Sequence, residues 1–211
     1  MNNAVCCIFG GAPCEYRSVS LDADAYVIAA DAGFKHLEAL GIKPDLIMGD
    51  FDSLGFVPQG ADVIRCKPEK DDTDTMLAVK YALEHGFKEL RLYGCCGGRL
   101  DHTLANLQTL VFISRSGANG TLFDGSLRIT ALTNGKMFFD ASHEGVISVF
   151  CSGDSARGVY LEGLKYPLVN ATLTHDMPLG VSNEFTGTQA SVSVESGTLL
   201  VIWNETERTG A

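Results

Sequence analysis

The texture of the chain changes near residue 124. Before that point, short apolar β-rich runs alternate with helical periods; after it, only β-rich segments follow. VCCIF (5–9), AYVIAA (25–30), DLIMG (45–49), DVIRC (62–66) and ELRLYG (89–94) read as strands, and TLF (121–123) as a sixth. FKHLEAL (34–40), TDTMLAVKYALEHG (73–86) and DHTLANLQTLVFISRSG (101–117) carry helical spacing, and each stops at a glycine. The last helix is expected to bury Leu100, Leu104, Leu107 and Val111 as one stripe. Strands alternating with helices build a mainly parallel sheet with helices on both faces. The strands are too apolar to leave one face in water, which agrees.

Beyond residue 124 come LRITAL, KMFF, VISVF, GVYLEG, NATLT, ASVSVE and TLLVIW, separated by Gly, Asn, Ser and Asp. This reads as an antiparallel sandwich or small barrel. The expectation is an α/β domain over 1–124 and an all-β domain over 125–211, with no low-complexity linker and no internal repeat. A chain of 211 residues, 45% hydrophobic, has enough apolar material for both.

A net charge of −10 sets nucleic acid aside as a partner, because binding its phosphate backbone needs a basic surface. No apolar stretch approaches the roughly 20 residues that cross a membrane. MNNAVCCIFGG has no basic n-region and does not read as a secretion signal. The seven Cys are odd in number and include no CxxC pair, so a reducing, cytoplasmic setting is expected.

Acidic residues gather where the strands end. Seven of the 15 Asp lie between Asp45 and Asp74, among them the pair in IMGDFDS (47–53) and the run KDDTD (70–74). Carboxylates packed together repel unless protons or metal ions neutralise them. In an open parallel sheet, ligands bind beyond the carboxyl ends of the strands. Gly10-Gly11, Asp31, Asp50 with Asp52, KDDTD and GCCGGRLDH (94–102) all fall on that edge. Carboxylate oxygens suit Mg2+. Glycine-rich turns, helix N-termini, Lys70 and Arg99 suit phosphates. The combination points to phosphoryl transfer without a GxxxxGK[ST] loop. Plainer roles compete: Asp71 or Asp72 as a helix cap, Asp101 as another, Gly97-Gly98 as a turn, His102 as a surface group and Trp203 as core.

AADAGFKHL (29–37), PDLIMGDFDS (44–53), EKDDTD (69–74), GGRLDH (97–102), GLKYPL (163–168) and GVSNEF (180–185) together resemble the thiamine pyrophosphokinase family. The resemblance runs in order along nearly the whole chain. It implies Mg2+-dependent transfer of a diphosphoryl group from ATP to the hydroxyl of thiamine, giving thiamine diphosphate and AMP. It also implies a C-terminal β-sandwich and a homodimer, with thiamine between the α/β domain of one subunit and the sandwich of the other. By motif, the family's catalytic acids fall on Asp50, Asp52, Asp74 and Asp101, the first three as metal ligands. Asp101 either orients or deprotonates the hydroxyl or is a further ligand. Asp31, Lys70, Asp71, Thr73, Arg99 and His102 fall on the ATP side, and Ser182 and Asn183 on the thiamine side. Tyr166 or Trp203 is expected to wall the pyrimidine, and an acidic cleft to attract the thiazolium cation. The chain departs from the family's ADGG or ADGA form, with Ala30-Asp31-Ala32-Gly33 placing Ala32 where glycine is usual. Two other classes fit parts of the pattern. One is a haloacid-dehalogenase-type phosphatase with Asp50 as nucleophile and Asp52 as general acid. The other is a non-catalytic nucleotide sensor.

Overall fold

The structure is a computed structural model that describes residues 5–16, 19–50, 61–65 and 71–205. Asp52 and Lys70 lie outside the described residues. The chain divides into two compact units, Met1–Gly125 and Ser126–Ala211.

In the first unit the elements follow as β1 (Val5–Phe9), β2 (Tyr26–Ala30), α1 (Gly33–Leu40), β3 (Leu46–Gly49), β4 (Asp62–Arg65), α2 (Asp74–Glu84), β5 (Glu89–Tyr93), α3 (Leu100–Arg115) and β6 (Asn119–Asp124). The strands line up in the order β6-β5-β1-β2-β3-β4. Each neighbouring pair is parallel, with Cys6 opposite Tyr26 and Leu90, for example. Successive side chains of a strand face opposite ways, and here both directions are buried. Cys6, Cys7, Ile8 and Phe9 are all solvent-inaccessible. Cys7, Phe9, Val27, Ala29, Ile47 and Tyr93 pack with Leu37 of α1 as one cluster.

Local chemistry sets the helix ends. Gly41 closes α1 in the left-handed conformation, which glycine adopts at little cost. Thr73 caps α2, its hydroxyl accepting from Met76 N at 3.1 Å. The cap is therefore Thr73, not Asp71 or Asp72. Thr73→Ala should cost about 1 kcal/mol of stability, read from a denaturant melt.

The apolar stripe expected on α3 is its buried face only in part. Val111 is buried and Leu107 half-buried, but Leu100 and Leu104 are exposed, and most of the buried face is Asn106, Thr109, Leu110 and Ile113. The true face lies roughly a third of a turn away. Counting leucines missed it because two of its members are polar. Thr109 satisfies its hydroxyl on Ala105 O at 2.9 Å, and Asn106 donates to Cys95 O at 2.8 Å.

The second unit is antiparallel throughout. It comprises β7 (Leu127–Thr133), β8 (Lys136–Phe139), β9 (Val146–Cys151), β10 (Ser155–Glu162), β11 (Leu168–Thr174), β12 (Gly180–Glu184), β13 (Ala190–Ser196) and β14 (Thr198–Asn204). One run of neighbours is β12-β9-β14-β7 and the other is β11-β10-β13-β8. Ile147, Val149, Leu199 and Val201 from the first run share a core with Val159, Leu161, Val192 and Val194 from the second. All seven segments expected beyond residue 124 are strands. The eighth, β12, was not foreseen. Its GVSNE sequence has no apolar alternation, and it is recruited by pairing Asn183 with Ile147 and Gly180 with Val149. Among the described residues, no helix is long and apolar enough to cross a membrane.

Candidate active site

In the first unit β1 has β2 on one side and β5 on the other, so the strand order reverses there. Loops that leave such a switch point diverge and open a crevice. A cavity of about 390 Å³ occupies it. Its walls are the turns after β1 (11–13), β2 (30–32) and β5 (94, 97–99), the start of α2 (73–75), and His102 and Asn106 of α3.

Two of these turns are laced together. Gly10 N donates to Tyr93 O at 2.8 Å and Ala12 N to Gly94 O at 2.9 Å. Gly94 has φ +59°, and a Cβ there would sit 2.6 Å from Gly10 O, so only glycine fits. His36 of α1 braces the same loop. Its Nε2 donates to Ala12 O at 2.8 Å, which leaves Nδ1 to accept from the Tyr16 hydroxyl at 3.1 Å. His36→Phe should raise KM for the nucleotide severalfold with a smaller change in kcat. His36→Gln, which keeps a donor toward Ala12 O, should recover most of it in steady-state assays.

Asp31 lines the cavity from the end of β2 with φ +47°, a strained value for a residue with a side chain. Its N–H donates to Met48 O at 2.7 Å, tying the turn to β3. Ala32 follows in an ordinary helical conformation, φ −62° and ψ −10°. The position that requires glycine is 33. A Cβ on Gly33 would be driven into the Phe9 carbonyl. The methyl of Ala32 finds room because residue 11 is glycine; a Cβ on Gly11 would come 2.8 Å from Ala32 Cβ.

Of the seven clustered Asp, the six among the described residues separate into different roles. Asp45 is structural: its carboxylate accepts from Val27 N at 2.8 Å and its own N–H donates to Val27 O at 2.8 Å. Asp62 opens β4. Asp72 pairs with Lys80 at 2.6 Å. Asp71 is exposed ahead of the Thr73 cap. Asp74 is the first residue of α2 and lines the cavity beside Asp31, while Asp50 directly follows β3 and is partly buried. Among the described residues, no three His, Cys, Asp or Glu side chains converge as a ready metal cage.

Arg99 and Asp101 grip each other at the start of α3, Nε to Oδ1 at 3.2 Å and Nη2 to Oδ2 at 2.6 Å. Asp101 also accepts from His102 N at 3.0 Å. The hydrogen bonds from Arg99 hold the Asp101 carboxyl below the usual range, and the Asp101 partner raises Arg99 further. Both side chains are exposed, so the pair contributes little to stability.

Cys95, beneath the cavity, is buried and its thiol donates to Tyr93 O at 3.3 Å. Burial pushes it up to about 12, and Cys7 likewise. Neither is a nucleophile at neutral pH. Mass-mapped iodoacetamide labelling of the folded chain should spare both.

In the second unit, Ser182 is exposed at φ +55° and its N–H donates to Ser148 Oγ at 3.1 Å. Asn183 is buried, lines a cavity with Tyr166, and its amide bonds the neighbouring backbone. Oδ1 accepts from Tyr166 N and Glu184 N, each at 2.9 Å, and Nδ2 donates to Tyr166 O at 2.7 Å. The clamped residue, Tyr166, is 56% exposed. Together with Leu161, Leu168, Leu179 and Val181 it lines an apolar cavity of about 300 Å³. Trp203 is core, edge-on to Phe139 with centroids 5.4 Å apart, and its Nε1 donates to Glu205 at 3.1 Å.

Two family models match in chain order. "Thiamin pyrophosphokinase, catalytic domain" covers residues 18–121 and "Thiamin pyrophosphokinase, vitamin B1 binding domain" covers 137–199. The thiamine pyrophosphokinase of Bacillus subtilis (strain 168) is 30% identical over 182 residues, spanning 83% of this chain and 85% of the relative. The chain belongs to the thiamine pyrophosphokinase family. Membership makes it an enzyme, a thiamine diphosphokinase, and displaces the phosphatase and sensor readings. The crystal structure of the Bacillus subtilis thiamine pyrophosphokinase matches with a TM-score of 0.85 at 27% identity, covering 95% of this chain and 99% of that one. Thiamin pyrophosphokinase 1 of Caenorhabditis elegans is 27% identical over 173 residues, 75% of this chain and 70% of the relative.

For a thiamine pyrophosphokinase, motif reading left out three residues at the cavity. Thr75 and Asn106 line it from α2 and α3, and His36 braces its rim. Asn106 had a legible signal, since it stands four residues after His102 and so shares its helix face. His36 had none, because its partner Ala12 O is a backbone atom 24 residues away.

Proposed function

We propose that the chain transfers the diphosphoryl group of ATP to the hydroxyl of thiamine, with Mg2+, releasing AMP. The observation that carries this is the cavity at the strand-order reversal, where Asp31 and Asp74 meet the starts of α2 and α3 and the Arg99 guanidinium. Helix N-termini and Arg99 suit a polyphosphate, while the two carboxylates would repel it unless a cation mediates.

Mg2+ fits this donor set, because it takes only one or two carboxylates together with substrate phosphates and does not need a protein cage. Asp50, Asp52 and Asp74 would hold it, and it would neutralise charge on the phosphoryl oxygens. Arg99, His102, Lys70 and the start of α2, with Asp71 and Thr73, bind the phosphates. Asp31, held at the turn by its strained backbone, positions the nucleotide. Arg99 exchanges its Asp101 partner for phosphate, which frees the Asp101 carboxylate to orient the attacking hydroxyl. While it is paired, Arg99 holds that carboxylate below the usual range; release of Arg99 to phosphate removes this hold and raises its proton affinity.

Thiamine lies against the second unit. Ser182 and Asn183 are the contacts, and Asn183 also holds the backbone of Tyr166, whose exposed ring walls the pyrimidine. The functional division runs 1–124 for ATP and 125–211 for thiamine, with α1 on one face of the parallel sheet and α2 and α3 on the other. A homodimer completes each site from two subunits. Exposed Leu100, Leu104, Val169, Met177 and Leu179 support it, being the kind of surface that association covers. The cysteines among the described residues are free thiols, in keeping with a cytoplasmic setting.

The test is an AMP assay with Mg2+ and ATP, with and without thiamine, the product identified by mass. AMP formed one-for-one with thiamine diphosphate is the expected result. Thiamine-independent phosphate release, or no AMP from folded protein that binds Mg-ATP, would overturn the assignment.

A further inference from the structure

Asn106 is 6% exposed and lines the cavity from α3, one turn beyond His102. Its Nδ2 donates to Cys95 O at 2.8 Å, which fixes which way the amide faces. Among the described residues, no hydrogen bond reaches its Oδ1. Nor, among them, does any fully buried side-chain nitrogen or oxygen lack a partner. The Oδ1 is therefore accessible, and the cavity is the space that Asn106 lines.

A carbonyl oxygen only accepts. Facing phosphate oxygens it would meet acceptor with acceptor. Arg99 lies seven residues earlier on the same helix, roughly 10 Å along its axis at 1.5 Å per residue. The cavity thus offers the Arg99 cation at the start of α3 and, further along the same helix, the Asn106 acceptor.

We propose that Asn106 is a specificity-determining residue: its Oδ1 accepts a hydrogen bond from the nucleoside half of ATP, and so sets which end of the nucleotide enters. The donor is the adenine amino group or a ribose hydroxyl. The proposal rests on the cavity being the ATP site.

The test is calorimetric binding of Mg2+ complexes of ATP, ITP, 2′-deoxyATP and 3′-deoxyATP to the full chain without thiamine. ITP replaces the amino donor with a carbonyl acceptor, and each deoxy compound lacks one hydroxyl. One of the three should bind about 10- to 100-fold more weakly than ATP, and which one names the donor. Asn106→Leu should weaken ATP to the same level and erase that preference, a change of ratio that loosened packing alone would not give. Asn106→Ser is the alternative if the leucine variant does not fold. Wild-type affinities all within about twofold would overturn the proposal without any variant. An unchanged preference in a folded variant would overturn it too. Absence of any Mg-ATP binding would instead remove the nucleotide reading itself.

Discussion

Asp74→Asn should lower kcat by on the order of 10²–10³ while the protein stays folded. The substitution keeps the shape of the side chain and removes its charge. Asp74 lines the cavity as the first residue of α2, next to the Thr73 cap that holds the helix start. The cap bond from Met76 N to Thr73 does not involve the Asp74 carboxylate, so the helix end keeps its main support. Loss of a negative charge from the first turn should cost about 0.3–1 kcal/mol, a shift of a few degrees in a thermal melt. Activity and stability therefore separate. AMP release should fall to a trace at saturating substrates, with a far-UV spectrum and melt close to the parent's. Thr73→Ala is the matched control for stability alone, with a comparable loss in the melt. Near-normal turnover in the Asn variant would remove Asp74 from the chemistry.

The alternation of strands and helices, and the edge on which polar groups gather, were legible because both depend on local pattern. β1 ends where the sequence placed it and β5 one residue earlier, and the turns after β1, β2 and β5 do meet at one cavity. What was illegible depends on partners distant in sequence. The stripe on α3 was misplaced because Asn106 and Thr109 are buried through hydrogen bonds that a hydrophobic count ignores. β12 was unseen because its pairing with β9, not its composition, makes it a strand. Asn183 also holds the backbone of Tyr166, a relation that no spacing encodes. The acidic run likewise looked like one cluster, yet Asp45 and Asp72 are satisfied by Val27 N and Lys80.

Gly33→Ala should be among the most damaging single-methyl changes in the chain. Gly33 opens α1, and the added Cβ would overlap the Phe9 carbonyl at the end of β1. Neither side can yield cheaply. Phe9 is fully buried within the sheet, and the loop after it is laced to Gly94 and braced by His36. Relief requires lifting α1 off the strand, which uncovers Leu37 from the cluster around Phe9 and Ala29. The cost should exceed about 4 kcal/mol, beyond ordinary overpacking and comparable to the whole stability of a marginal domain. A melting temperature lowered by more than about 10 °C, or insoluble expression, is the expected reading. Ala32→Gly, one residue away, should change stability by no more than about 1 kcal/mol, because Ala32 already sits in a relaxed helical conformation. The space at Ala32 is shared with Gly11, so Gly11→Ala alone should destabilise, and Ala32→Gly in the same chain should restore most of the loss. A double-mutant cycle by denaturant melt would measure that coupling. Simple additivity would mean that the two positions do not compete for the same space. A parental melt for Gly33→Ala would mean that α1 does not rest on Phe9.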